Sequence, residues 1–148
     1  VLFRSNKYSF LITLLHELAH LLTFEEFSHK VSPHGKEWKS RYGKLLARFM
    51  NRGIFPEDIH TALHKTLQNP AASSCGDLPL MKVLMRYDPK KEGHATIDEI
   101  DAGTVFSTSD GRKFLRGEKI RTRIKCKEIG TGRYFLFSPL YEIKPEQA

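Results

Sequence analysis

Between residues 7 and 24 the apolar side chains recur at helical spacing. Leu11, Leu14, Leu15, Leu18 and Leu22 form a stripe, and Ile12, Ala19 and Leu21 widen it. The pattern predicts a helix from about Lys7 or Tyr8 to Phe24. A helix apolar over most of its girth is expected to be buried. Thr13, His16, Glu17 and His20 share the narrow face that remains, and polar groups there need a task or a partner. Residues 25–34 read as a loop ending in Ser32-Pro33-His34-Gly35. A second helix is expected from about Lys36 to Arg52, with Trp38, Tyr42, Leu45, Leu46, Phe49 and Met50 on one face and Gly53 as its stop. A third starts near Pro56, with Glu57 and Asp58 in the first turn, where acids favour the helix dipole. Its buried edge is Ile59, Ala62, Leu63 and Leu67. Asn69 to Gly76 reads as a loop. Asp77 then caps a short helix from Leu78 to Tyr87, with Leu80, Leu84 and Tyr87 inward.

The period changes to two from Thr104. Thr104–Thr108, Lys113–Leu115, Lys119–Lys127 and Arg133–Phe137 read as strands, and Leu140–Ile143 adds a short edge strand. Ser109-Asp110-Gly111 and Gly130-Thr131-Gly132 are their turns. The fold class is therefore α+β: a helical part over 1–88, a polar linker over 89–103, and a small antiparallel β module over 104–148.

Composition narrows the function. The chain of 148 residues carries a formal charge of +7, which favours an anionic partner, nucleic acid first. Its two cysteines, Cys75 and Cys126, are too few for a disulfide framework or a four-cysteine zinc ribbon. A reducing, cytoplasmic setting is the simplest. The most apolar stretch, Phe10 to Leu22, is too short and too often broken by His and Glu to span a bilayer, so no membrane role is expected.

The polar residues of the first helix carry the chemistry. HELAH at 16–20 sets His16 and His20 one turn apart on one helix face. Two imidazoles so placed can hold a zinc ion, and Glu17 between them can act on a water at the metal. A catalytic zinc needs a third protein ligand and an open fourth position. Glu25, Glu26, His29, His34 and Glu37 are the candidates. A metzincin would have glycine at 23 and histidine at 26; this chain has Thr23 and Glu26. His34, between a proline and a glycine at the mouth of the second helix, is the better placed.

HELAHLL at 16–22 followed by PHGKEWK at 33–39 resembles the SprT-like (SprT/Spartan-type) family of zinc metallopeptidases, over roughly residues 6–55. The resemblance implies a zincin-like core holding one Zn2+ on His16, His20 and His34, with Glu17 as catalytic acid/base and Trp38 as a packing aromatic. It implies a protein substrate, in some members protein attached to DNA. It also implies a helix and strands ahead of the metal helix. Since the chain starts at Val1, the expectation is an N-terminally truncated bacterial member lacking that sheet. The β module is similar, more distantly, to one that replaces a zinc ribbon in some bacterial members. The alternative is a nucleic-acid-binding module with a structural or vestigial zinc site. Glu17 argues against it, because a structural site has no use for a base.

The stretch Lys119–Lys127 alternates Lys119, Arg121, Arg123, Lys125 and Lys127 with Ile120, Thr122, Ile124 and Cys126. On one strand face these five cations would recur every ~6.6 Å. They could track a phosphate backbone, with Tyr134 on a neighbouring strand as a stacking surface. An ordinary exposed sheet face is the plainer reading. His60 and His64 also stand four apart but without a glutamate between them, and read as surface residues. Cys126 falls on the apolar side of its strand and reads as core.

Overall fold

The computed structural model describes residues 6–68 and 77–146, and the chain divides into two compact units, 1–89 and 90–148. The expected Asn69–Gly76 loop, with Cys75, lies outside the described residues.

The first unit is built on α1 (Lys7–Phe27), α2 (Lys36–Met50), α3 (Glu57–Gln68) and α4 (Leu78–Met85). Asn6 starts α1 by accepting hydrogen bonds from the amides of Tyr8 and Ser9 at 3.1 and 2.9 Å, which satisfies donors a helix leaves open. Its side-chain amide donates to the Leu84 carbonyl at 2.9 Å and to Asp88 at 2.7 Å, tying the start of α1 to the end of α4. Asp77 caps α4 and accepts a hydrogen bond from Thr66 of α3. Gly53 takes a φ of 66° after α2, as the stop signal required. Trp38, Tyr42, Leu46 and Met50 of α2 form the middle of the core, against Ile12, Leu15 and Ala19 of α1 and Ile59 and Leu63 of α3.

Two expectations for this unit are corrected. The buried side of α1 keeps Ile12, Leu15 and Ala19 of the expected apolar face but extends to His16 and Thr23, while Leu14, Leu21 and Phe24 are about half exposed. The histidine side of the helix is the one that packs on α2, because Trp38 and Tyr42 lie there. Tyr87, expected inward, is partly exposed, and its hydroxyl donates to Asp58 at 2.7 Å.

The second unit is an antiparallel sheet in the order β1-β6-β2-β3-β4-β5, formed by β1 (Ala95–Thr96), β2 (Val105–Ser107), β3 (Lys113–Ile120), β4 (Arg123–Glu128), β5 (Tyr134–Phe137) and β6 (Glu142–Pro145). Its core is Ile97, Phe106, Phe114, Ile124, Cys126 and Ile143. Residues 89–103 are more than a linker. They supply β1, which pairs with β6, and a single helical turn at Ile97–Glu99 in which Glu99 accepts from the Thr96 amide at 2.7 Å. The last strand lies two residues later than expected and is internal, paired with both β1 and β2.

The largest correction concerns Lys119–Lys127. This stretch is a hairpin: β3 continues to Ile120, Ile120 pairs with Arg123, and Arg121-Thr122 is the turn. Arg121 sits at a φ of 53°, where glycine or asparagine is usual. No glycine, proline, asparagine or aspartate marks the turn, so the alternation of Lys and Arg with apolar residues ran through it unbroken. β3 is also bulged between Arg116 and Lys119. Gly117 occupies the bulge because a methyl group there would run into the Lys125 carbonyl.

Candidate metal centre

α1 fixes two of the imidazoles by spacing alone. His16 and His20 lie one turn apart, with their Nε2 atoms at 3.2 Å. The third arrives from outside the helix. A tight turn closes with the Gly35 amide donating to the Ser32 carbonyl at 3.0 Å, and Gly35 then starts α2. A side chain at 35 would press on Ser32 and Glu37, so the turn that carries His34 suits glycine. It brings His34 Nε2 to 3.1 Å from His20 Nε2. Zinc ligands at ~2.0–2.1 Å in tetrahedral array stand roughly 3.3 Å apart. His20 stands at about that separation from each of the other two, and one ligand nitrogen from each of the three rings lies within 4.8 Å of the others, close enough for one cation to engage them together.

Trp38 is the floor of the cluster. It is fully buried, with ring centroids 4.8, 5.2 and 4.7 Å from those of His16, His20 and His34. It stacks in turn on Tyr42, 4.9 Å away at an interplanar angle of 22°. The first turn of α2 thus holds the three rings from one side. The sequence marks Tyr42 only as core, although its position four residues after Trp38 puts it on the same face. Among the described residues, His16 Nδ1 is buried without a hydrogen-bond partner. A histidine whose Nε2 is kept as an acceptor carries its proton on that Nδ1.

Burial holds the pKa of His16 below the ordinary histidine value; the nearby His20 adds to this, and Glu17 opposes it. His34 is lowered for the same two reasons, burial first and His20 second. Both rings are therefore biased to the neutral, metal-binding form. The sign of the pH effect follows. Below 6.5 the unfolded chain takes up protons that these two rings in the folded chain resist, so acidification favours unfolding. The metal-free protein is expected to melt at a lower temperature at pH 5.5 than at pH 7.5, with the loss beginning near 6.5. Thermal melts in chelator across that range check it; a midpoint that rises on acidification would contradict the assignment.

Glu17 is exposed on the rim beside the cluster. It was expected on a buried face, where an idle carboxylate would be costly. Its exposure removes that energetic argument for a catalytic task. The other candidate ligands stand apart: Glu26 pairs with Arg41, Glu37 with Lys36, His29 packs on Phe24, and Glu25 is exposed. Among the described residues, His16, His20 and His34 are the one group of three or more such donors able to hold a metal. His60 and His64 face each other on α3 at 4.9 Å between centroids, and no third donor joins them. Cys126 is buried in the sheet core, and burial pushes its thiol pKa up.

Residues 1–66 match the sequence model of the SprT-like family. The chain carries a SprT-like segment. It contains His16, Glu17, His20, His34 and Trp38, and it stops within α3, so the β unit lies outside the match. No solved structure matches the chain at a significant level. Among the described residues, no helix is long and apolar enough to cross a membrane.

The basic residues of the β unit are placed differently from the single row expected of them. Arg123, Lys125 and Lys127 share the outward face of β4, since Ile124, Cys126 and Glu128 are buried on the other. Lys119 lies on the opposite arm of the hairpin and Arg121 in its turn.

Proposed function

We propose that the SprT-like segment is a zinc-dependent metallopeptidase centre with His16, His20 and His34 as ligands and Glu17 as acid/base. The convergence of three Nε2 atoms, two of the contacts being 3.1 and 3.2 Å, carries the reading. When bound, zinc supplies Lewis acidity, polarising a scissile carbonyl and acidifying water. The chain's own residues do the rest. His16 and His20 are held in register by the helix, and His34 by the turn before α2. Trp38 limits the tilt of all three rings. Glu17, next in sequence to His16 and open to solvent, takes a proton from water and returns it to the leaving amine. The substrate class in this reading is protein, and the helical unit that carries the three histidines is read as a zincin-like core.

The exposed cations Arg123, Lys125 and Lys127 on β4 favour a second reading, in which the metal is structural and the chain binds nucleic acid without cutting protein. Metal content and cleavage separate the two. The purified chain is expected to hold one zinc per chain by elemental analysis and to cleave an unfolded protein substrate. Chelation abolishes cleavage and added zinc restores it. Stoichiometric zinc without cleavage selects the structural reading; absence of stoichiometric zinc under saturating metal defeats both.

A further inference from the structure

The outward face of the sheet in the second unit carries cations and apolar groups in alternation. Lys127 of β4 stands between Leu115 of β3 and Tyr134 of β5, and Lys125 stands opposite Leu136. Tyr134 and Leu136 are 60 and 61% exposed, the most open large apolar residues among those described. Lys125 Nζ lies 4.3 Å from the Tyr134 ring centroid, so a cation and an aromatic face occur together. Gly117, in the β3 bulge, leaves a shallow depression walled by Leu115, Ile120, Lys125, Lys127 and Tyr134. Glu118 is the one carboxylate on its rim, against Lys125 and Lys127. Among the described residues, Arg123, Lys125 and Lys127 are in no ion pair.

We infer that this face binds single-stranded nucleic acid, with a base stacked at Tyr134 and phosphates met by Arg123, Lys125 and Lys127. Cations on one strand face recur every ~6.6 Å, far enough apart for each to meet a different phosphate. A free base offers the flat apolar surface that an exposed phenol ring can take up, and a duplex hides it. An extended acidic peptide draws its affinity from main-chain hydrogen bonds at a sheet edge, which a sheet face does not supply. A bilayer would need a broader apolar surface than four scattered side chains give. The site is remote in sequence from the histidine cluster and does not depend on its function.

The test is fluorescence anisotropy of the full chain with a labelled oligothymidylate of roughly 16 nucleotides, within the range of small single-strand folds. Between about 50 and 200 mM salt the log–log slope is expected near about −2, at roughly −0.7 per phosphate neutralised. Replacing Arg123, Lys125 and Lys127 together by glutamine should flatten that slope and weaken binding by an order of magnitude or more. Tyr134→Ala should weaken binding about fivefold or more without changing the slope, and Tyr134→Phe should restore it. Chelator should change none of these values, which separates this result from the fate of the metal reading. Binding unaltered in the triple variant and in Tyr134→Ala overturns the proposal. So does displacement of the oligonucleotide by duplex DNA, polyglutamate or phosphatidylserine vesicles as readily as by unlabelled single strand.

Discussion

Glu17→Gln is expected to lower peptide hydrolysis by about 10²- to 10⁴-fold, the usual contribution of a positioned general acid/base, with zinc content unchanged. The substitution keeps the size of the side chain and removes only its ability to take and return a proton. Because Glu17 is exposed and is not one of the three grouped donors, neither folding nor metal retention should suffer. Turnover of an unfolded protein substrate, elemental analysis and a thermal melt on the same preparation check all three statements. Cleavage at the parental rate would remove Glu17 from the chemistry. Loss of zinc together with activity would make Glu17 a part of the site's structure instead.

His34→Ala is expected to cost more zinc affinity than the 10–100-fold that follows loss of an outer partner of a metal ligand. The reason is geometric. His16 and His20 belong to one rigid helix, so they present two donors whether or not α2 is docked. His34 is the donor that comes from outside α1 and joins that helix to the turn before α2. Metal binding should therefore also stabilise the packing of α2 on α1. Zinc at 100 times its dissociation constant would add about 2.7 kcal/mol to the parent, and the variant should lose most of that gain. Competition with a chromophoric chelator gives the affinity, and melts with and without zinc give the stabilisation. A variant that binds zinc as tightly as the parent would exclude His34 from the ligand set. His60 provides a control: His60→Ala alters a pair with no third donor and should leave zinc affinity unchanged.

Local signals in the sequence correspond to local features of the fold. The Asn6 and Asp77 caps and the Gly53 stop act within one turn of themselves, and α2, α3 and α4 begin at the expected residue or one later. The i, i+4 pair in HELAH needs only a helix to become two donors on one face. His34 was the best of five candidates from the sequence. Its position depends on a tight turn at Ser32–Gly35, so only the folded chain brings its nitrogen to 3.1 Å from that of His20.

The misread features are those in which packing outweighed pattern. On α1 the apolar stripe suggested one inward face, but Trp38 and Tyr42 draw the buried side round from Leu15 to His16, and aromatic contact with imidazoles does not show in a count of apolar residues. In the β unit the side-chain period is the same on both arms of a tight hairpin, so alternation alone could not reveal a reversal at Arg121-Thr122. β1 is only two residues long and exists because β6 pairs with it, a long-range contact that leaves no mark on a polar segment. What the sequence by itself determined is the pair of histidines on one face of α1 and the residues at which the helices start, because both follow from spacing within a few residues. What only the tertiary structure decided is which face of α1 is covered, how closely His34 approaches and which cations share one side of the sheet, because each depends on segments meeting that are far apart along the chain.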